Sequence, residues 1–199
     1  MRIITGKYKG RHFDIPRTFK ARPTTDFAKE NIFNVLTGYT DFEDCAALDL
    51  FAGTGSISLE LLSRGCDNVT SVELDRDHYR FICECVNKLS VPTSAWRGIK
   101  GDVFRFLKTC KQQYDIIFAD PPYALHELPQ IPDLVLGTPN THHPSPNTHH
   151  PTPNTHHPTP LLQPDGVFVF EHGKDHDFSQ HPRFVEHRQY GSVNFSLFR

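Results

Sequence analysis

The sequence predicts an α/β fold built on a doubly wound, mostly parallel sheet. Apolar runs at residues 46–50, 114–119 and 167–170 show little polar alternation, as expected of strands that are covered on both faces. Segments with helical spacing separate these runs, and strands that alternate with helices are typical of parallel sheets. Two final β-prone segments, 184–190 and 193–198, meet at Gly191-Ser192 and predict a closing hairpin at one edge of the sheet.

The remaining elements follow from periodicity and end signals. Thr25 or Asp26 can cap the first helix and Gly38 can end it, while Pro92 follows the third. The predicted helices cover 27–36, 56–62, 75–89 and 104–107, and the predicted further strands cover 68–73 and 94–99. Each helix lies between two strands, which is the order that a parallel sheet requires.

Length and composition limit the possible classes of protein. A chain of 199 residues forms one domain, or one domain with a small appendage, and can bury a substantial core. No run approaches the roughly 20 apolar residues of a membrane span, and the first residues lack the apolar stretch of a signal peptide. We therefore expect a cytoplasmic protein without membrane contact. Its five cysteines include no Cys-x-x-Cys pair and are expected to be reduced.

The N-terminal segment 1–22 is predicted to be a basic hairpin extension of a domain that spans 23–199. Two β-prone stretches, 2–5 and 11–15, flank a loop bounded by glycines. The formal net charge of −2 argues against a nucleic-acid partner, but this segment contains seven basic residues and one acid. A solvated surface is the alternative to a phosphate-binding role. The candidate RNA contacts are Lys7, Lys9, Arg11, Lys20 and Arg22.

A glycine-containing turn follows the strand at 46–50 and opens a helix. Gly53 and Gly55 let the backbone approach a ligand closely, and the start of a helix favours negative charge. Glu73 ends the next strand, twenty positions after Gly53, a spacing at which a carboxylate reaches a ribose diol. A dehydrogenase would use the same geometry, but its usual third glycine is Ser58 here.

The strand at 114–119 ends in Asp120-Pro121-Pro122-Tyr123. The two prolines lack N–H groups and fix φ, so Asp120 and Tyr123 are expected to project from a stiff loop at the carboxyl end of the strand. Open α/β sheets bind ligands at that end. An ordinary turn after a strand is the alternative interpretation. The tetrapeptide resembles the fourth motif of S-adenosylmethionine-dependent methyltransferases that modify amino groups of nucleobases.

The chain as a whole resembles the RsmD-type family, which methylates the N2 amino group of a guanine in 16S ribosomal RNA. Three features carry the resemblance: the basic hairpin, the phrase Arg22-Pro23-Thr24-Thr25-Asp26 before an amphipathic helix, and Asp120-Pro121-Pro122-Tyr123. It covers essentially all residues except 137–160. The resemblance implies a seven-stranded methyltransferase sheet, S-adenosylmethionine as cofactor, and a monomer that binds ribosomal RNA or a small-subunit assembly particle.

The resemblance also implies a role for each site residue. Leu74 would pack on the adenine, although core packing is the alternative, and Asp102 would accept a hydrogen bond from the adenine amino group or cap the next helix. The implied cofactor contacts are Asp49, Phe51, Gly53 and Gly55 for the methionine part, Glu73 for the ribose, and Leu74, Asp102 and Val103 for the adenine.

The implied catalytic residues are Asp120, Pro121, Pro122 and Tyr123. The Asp120 carboxylate and the Pro121 carbonyl can accept the two N–H bonds of an exocyclic amine, and the Tyr123 ring can stack on the base. The same four residue types serve adenine and cytosine methyltransferases. A DNA adenine-N6 methyltransferase is therefore one alternative. Two alternatives from other classes are a non-catalytic RNA-binding protein that retains the cofactor pocket and, third, a nicotinamide-dependent oxidoreductase.

A biased segment at 137–160 departs from the family, after a short helical stretch at 124–136. Pro139-Asn140-Thr141-His142-His143-Pro144-Ser145 is repeated twice more with one change, up to Thr159. The heptads contain two prolines each and no aliphatic or aromatic side chain, so we expect a disordered, polyproline-like surface loop. Six of the thirteen histidines lie in it, which makes metal binding the alternative, but we expect no metal site.

Overall fold

The computed structural model describes residues 1–19, 25–138 and 159–199. Lys20, Arg22 and nearly all of the heptad repeat therefore lie outside the described residues, and so do the predictions made for them. Within the described ranges, no helix is long and apolar enough to cross a membrane. The same ranges contain no group of three or more His, Cys, Asp or Glu side chains that could hold a metal ion.

The described residues form five α-helices and seven β-strands. They are α1 (Asp26–Leu36), β1 (Ala46–Leu50), α2 (Ser56–Arg64), β2 (Asn68–Glu73), α3 (Arg76–Lys88), β3 (Trp96–Lys100), α4 (Val103–Thr109), β4 (Tyr114–Ala119), α5 (Ile131–Leu136), β5 (Leu162–His172), β6 (Phe184–Tyr190) and β7 (Val193–Phe198). A short 3₁₀ helix, Leu128–Gln130, precedes α5. Of the two predicted caps, Thr25 and Asp26, Thr25 caps α1, because its hydroxyl accepts the N–H of Ala28 at 3.2 Å.

One seven-stranded sheet has the order β3-β2-β1-β4-β5-β7-β6. Strands β1 to β5 are parallel, and β7 is antiparallel to both β5 and β6. This confirms the predicted mostly parallel, doubly wound sheet with its closing hairpin. The strand order reverses between β1 and β4, which defines the switch point where α/β sheets bind ligands.

Two apolar layers cover the sheet. Helices α1, α2 and α3 pack on one face through residues such as Ile32, Leu59 and Ile82, while α4 and α5 pack on the other through Leu107 and Ile131. Successive residues of β4 alternate between the layers, since Ile116 and Phe118 belong to the first and Ile117 and Ala119 to the second. Burial on both faces explains the continuous apolar runs in the sequence.

The N-terminal segment packs on α2. Its two β-prone stretches pair antiparallel, but only at one bridge between Arg2 and His12, so the predicted hairpin has little regular strand. The N–H groups of Ile4 and Thr5 instead donate to the buried Glu60 carboxylate of α2, at 2.8 and 3.0 Å. Gly6 allows the N-terminal segment to lie this close to α2, because a Cβ at Gly6 would lie 1.8 Å from the Ser63 carbonyl oxygen.

Strand β5 begins earlier than the apolar run at 167–170 that predicted it. It starts at Leu162 and passes through Pro164-Asp165-Gly166, residue types that are common in turns. The pairing with β4 is irregular there, since Tyr114 pairs with Leu162 and Ile116 with Val167. The extra residues form a bulge, which accommodates a proline that regular pairing would exclude.

Candidate active site

The register of the central strands brings the carboxyl ends of four strands to one edge of the sheet. Leu50 pairs with Val72 on one side and with Ala119 on the other, and Ala119 pairs with Phe170. The residues that follow these pairs are therefore level with one another at the carboxyl ends of β1, β2, β4 and β5. They form two halves, which we call the glycine-turn half (ends of β1, β2 and β3) and the Asp120 half (ends of β4 and β5).

The turn between β1 and α2 needs left-handed backbone at three positions. Phe51, Gly53 and Gly55 have φ values of 60°, 54° and 76°. Gly55 is also required for space, because a Cβ there would lie 2.9 Å from Cγ1 of Ile82. The Phe51 ring contacts Phe104 edge-on, with centroids 6.3 Å apart. A tight turn built this way exposes backbone rather than side chains to a ligand.

Asp49 lies beneath this turn and caps α2 from a neighbouring strand. Gly55, the N-cap residue, has no side chain to accept the unpaired N–H groups of the first turn. The Asp49 carboxylate accepts the N–H of Ser58 at 3.0 Å and also its hydroxyl. The Ser58 hydroxyl lies 2.7 Å from that of Ser71, which accepts the Trp96 indole N–H at 2.8 Å. A strand carboxylate thus replaces the usual capping side chain.

Burial raises the pKa of Asp49 to about 7, although the hydrogen bonds from Ser58 act in the opposite direction. The negative charge of Glu73 adds to the increase. Asp49 is 2% exposed, so its carboxylate has lost almost all contact with water. The folded protein therefore contains a carboxyl group that changes charge near neutral pH.

Glu73 joins the ends of β1 and β2. One carboxylate oxygen accepts the Gly53 N–H and the other accepts the Asp75 N–H, both at 2.7 Å. The predicted spacing of twenty residues thus brings Glu73 to the glycine turn. A carboxylate can accept about four hydrogen bonds, so these two leave it able to receive hydroxyl groups as well.

The three predicted adenine contacts differ in their surroundings. Leu74 is 65% exposed, so the alternative of core packing is wrong for its side chain. Asp102 caps α4 by accepting the Arg105 N–H at 2.9 Å, which confirms its capping role. Val103 is buried in the layer beneath the sheet, where its side chain packs in the core. A ligand at this edge would meet Leu74 and Asp102 before Val103.

The Asp120 half combines the predicted loop with a residue from β5. Pro121 is buried, whereas Pro122 and Tyr123 are exposed. The Tyr123 hydroxyl donates to the Glu171 carboxylate at 2.9 Å, and Glu171 is 4% exposed. A Cβ at Gly173 would lie 3.5 Å from Cδ2 of Tyr123, so this glycine lies beside the ring. The hydrogen bond to Glu171 therefore fixes the hydroxyl end of the Tyr123 ring, and Gly173 leaves room for the ring beside it.

Electrostatics keeps the Tyr123 hydroxyl protonated. Burial, followed by the nearby carboxylates of Glu171 and Asp120, raises the pKa of Tyr123 above its ordinary value of 10. A protonated hydroxyl can donate to Glu171 throughout the physiological pH range.

Sequence reasoning missed Glu171 and Lys29. Glu171 is the last residue but one of β5, close to the strand end that Glu73 occupies on β2, so its place after an apolar run was a usable signal. Lys29 is 1% exposed and donates to the Arg2 carbonyl at 2.6 Å and to the Ser56 hydroxyl at 3.0 Å. Burial lowers the pKa of Lys29. No pattern marked Lys29, because it occupies an ordinary position in an amphipathic helix.

The predicted RNA contacts in the N-terminal segment lie away from this edge. Lys7, Lys9 and Arg11 are exposed, and the Lys7 N–H donates to the Ser63 carbonyl in the last turn of α2. Arg11 donates to the carbonyl of Lys88, the last residue of α3. Both helices begin at the glycine-turn half. The Ser63 contact therefore lies about 10 Å from it along α2, and the Lys88 contact about 18 Å from it along α3, at 1.5 Å per helical residue.

Fold and site together define a doubly wound α/β protein of the methyltransferase type. The profile of the family described as "Conserved hypothetical protein 95" matches residues 1–139. The chain therefore belongs to this family, the RsmD-type family, as its sequence motifs predicted.

Similar proteins agree with this assignment. "Ribosomal RNA small subunit methyltransferase D" of Haemophilus influenzae is 35% identical over 125 residues, 62% of this chain and 64% of that protein. "Putative rRNA methyltransferase YlbH" of Bacillus subtilis is 33% identical over 178 residues, 88% and 84% of the two chains. The first curated relatives are matched over only 60 to 65% of their length. A solved hypothetical protein of Thermus thermophilus is 25% identical, with a TM-score of 0.77 over 100% of this chain and 99% of that one.

Proposed function

We propose that the chain is an S-adenosylmethionine-dependent methyltransferase that acts on the N2 amino group of a guanine in 16S ribosomal RNA. The observation that carries the proposal is the register that brings the glycine turn and Asp120 to one edge of the sheet. The names of the family relatives support ribosomal RNA as the substrate. Guanine N2 as the acceptor comes from the resemblance in the motifs.

The glycine-turn half fits S-adenosylmethionine. A left-handed turn offers backbone to the methionine part, and the buried Glu73 carboxylate suits the ribose hydroxyls. The exposed Leu74 side chain offers an apolar surface to the adenine, and Asp102 an acceptor to its amino group. When bound, the cofactor supplies a methyl group on a positively charged sulfur.

The Asp120 half fits an exocyclic amine. Such an amine is a weak nucleophile because its lone pair is delocalised into the ring. The Asp120 carboxylate and the Pro121 carbonyl would accept its two N–H bonds and so leave the lone pair directed at the methyl group. Orientation of this kind can be equivalent to an effective concentration on the order of 10⁵ M or more. The Asp120 carboxylate can also accept the proton that the amine loses.

Tyr123 would stack on the target base, held in place by Glu171 and Gly173. Stacking of a base on an aromatic ring contributes about 1 to 3 kcal/mol. A base inside a paired stem must first be extruded, so an unpaired guanine or one in a loop is the favoured substrate. Glu171 acts here as a positioning residue, since its contact is with Tyr123.

Mass mapping of methylated nucleosides tests the proposal. RNA and DNA from cells with and without the gene are compared, and the deletion is complemented with the wild type or with Asp120→Ala. We expect the deletion and the variant to lack one N2-methylguanosine in 16S ribosomal RNA. Loss of N6-methyladenine from DNA would instead assign a DNA methyltransferase. Unchanged nucleosides, together with binding of S-adenosylhomocysteine, would assign a non-catalytic RNA-binding protein, and binding of NAD an oxidoreductase.

A further inference from the structure

A basic groove of about 800 Å³ lies along the outer edge of the sheet, between the edge strand β3 and helix α4. Its cationic lining residues are Arg97, Lys100, Arg105, Lys108 and Lys111, and its one acidic lining residue is Asp102. We call this surface the β3/α4 groove. The whole chain has a formal net charge of −2, so the positive charge here is a local concentration.

The five cations of the groove outnumber its single acid, Asp102. All five are exposed, and in the described part of the chain none of them forms an ion pair with a carboxylate. The acid in the groove, Asp102, accepts the Arg105 N–H in its role as helix cap. The positive potential of the groove is therefore directed to the solvent, where it can attract an anion.

Local structure does not account for the charge pattern. Basic residues on an edge strand, such as Arg97 and Lys100, can prevent strand-to-strand aggregation. Arg105 and Lys108, however, lie three positions apart on α4, where like charges destabilise a helix by a few tenths of a kcal/mol. An external polyanion would convert this repulsion into attraction.

Shape and composition of the groove match a nucleic-acid strand. The five residues of β3 rise by about 13 Å between the first and the last, enough for several phosphates in succession. Phe106, which is partly exposed, also lines the groove. A positively charged groove with an aromatic side chain is the usual arrangement for binding single-stranded nucleic acid. Its upper end, at Gly101 and Asp102, adjoins the glycine-turn half of the site.

We propose that the β3/α4 groove binds the sugar–phosphate backbone of the RNA substrate. The proposal rests on the proposed function, because it assigns the path of the RNA whose guanine is methylated. It adds a binding surface on the face opposite the N-terminal segment, since α4 and α2 cover different faces of the sheet.

Salt dependence of RNA binding tests the groove. The triple variant Arg105→Gln, Lys108→Gln, Lys111→Gln is compared with the wild type for binding to a short oligouridine over a range of salt concentrations. Each phosphate contact on a single strand contributes about 0.7 to the slope of log K against log salt, so we expect the slope to fall by about 2. Affinity for S-adenosylhomocysteine, measured by calorimetry, should stay the same.

A charge-preserving triple variant, Arg105→Lys, Lys108→Arg, Lys111→Arg, is the matched control and should keep the wild-type slope. An unchanged slope in the glutamine variant would overturn the proposal, as would equally tight binding of polyglutamate to the wild type, which would indicate an acidic protein partner. If the slope fell while the wild type transferred no methyl group to ribosomal RNA, the proposed function would be wrong and the RNA-binding groove would remain.

Discussion

The two halves of the site are built by different means. The glycine-turn half consists of backbone in unusual conformations, and its carboxylates at Asp49 and Glu73 are already engaged by backbone N–H groups. The Asp120 half consists of side-chain ends, and its hydrogen bond between Tyr123 and Glu171 joins two side chains. Changes in the first half should therefore alter cofactor binding or folding, whereas changes in the second should alter turnover.

The largest expected effect is that of Asp120→Ala. Loss of the acceptor that orients the amine should reduce turnover by about 10²-fold or more, while affinity for S-adenosylhomocysteine barely changes. Single-turnover methyl transfer and calorimetry measure the two quantities. Glu73→Ala is the corresponding variant in the glycine-turn half, and it should weaken cofactor binding. Near-normal turnover of Asp120→Ala would make Asp120 a turn residue and remove the distinction between the halves.

Substitution of the N-terminal basic residues should affect RNA binding but not cofactor binding. Replacing Lys7, Lys9 and Arg11 by Ala should lower the slope of log K against log salt by roughly 0.7 to 0.9 for each lost phosphate contact. Because these side chains are exposed and lie away from the glycine-turn half, cofactor affinity should not change. The location of this loop, at the ends of α2 and α3 remote from the site, makes the experiment informative. An unaltered slope would leave the β3/α4 groove as the proposed RNA surface.

The pair of Tyr123 and Glu171 should contribute about tenfold to kcat/KM for RNA. A hydrogen bond to a charged group is worth about 1.5 to 3 kcal/mol, part of which would be lost in Tyr123→Phe or Glu171→Gln. If Glu171 acts through Tyr123, the double variant should be no worse than Tyr123→Phe alone.

The same chain offers a matched control for this cycle. Tyr39 donates to Glu186 at 2.6 Å, a pair with the same chemistry outside the site. Tyr39→Phe should change Tm without changing kcat/KM. Additive losses in the Tyr123 and Glu171 variants would show that Glu171 does not act through the tyrosine.

Asp49 predicts a pH dependence of stability. Its carboxyl group has an ordinary pKa of 3.8 but a pKa of about 7 in the folded protein. Between these values the folded state binds more protons than the unfolded state, so the free energy of unfolding falls as pH rises. The expected decrease is on the order of 1 kcal/mol per pH unit. Below and above this window the contribution is constant.

Denaturant unfolding of the wild type and Asp49→Asn from about pH 4 to pH 7 measures this contribution. The amide cannot ionise, and its oxygen can still accept the Ser58 N–H. The free energy of unfolding of the variant should therefore depend less on pH than that of the wild type. The difference between the two profiles isolates Asp49 from the histidines that titrate in the same range. Parallel profiles would mean that the carboxyl group ionises in the folded protein as it does in the unfolded chain.

The smallest expected effect is that of removing residues 139–159. The flanking segments are already joined, because the Leu161 N–H donates to the Val135 carbonyl at 2.9 Å, so Thr138 can be linked to Pro160. Tm and cofactor affinity should stay the same. At most a modest change in turnover is expected, since the removed residues lie between α5 and β5, and the end of β5 belongs to the Asp120 half. If a chelator inhibited the full-length protein but not the shortened one, the histidine heptads would be a regulatory metal site.

The sequence alone predicted the sheet, its order of helices and strands, and the positions of the glycine turn and Asp120. These features depend on local signals: buried strands are continuous apolar runs, prolines end a strand, and a carboxylate twenty residues after a glycine marks the next strand end. The strand boundaries at 162 and 96 were less accurate, because pairing partners set them.

Only the tertiary structure decided which groups meet. Glu171 approaches Tyr123 across 48 residues and Glu60 binds Ile4 across 56, and no local pattern encodes contacts at such separations. The same applies to Asp49, whose capping of α2 depends on the packing of a helix over a strand. The basic residues of β3 and α4 were visible in the sequence, but their convergence into one groove follows from the edge position of β3. Periodicity determines an element and its buried face, whereas register and crossover determine which side chains share an edge of the sheet.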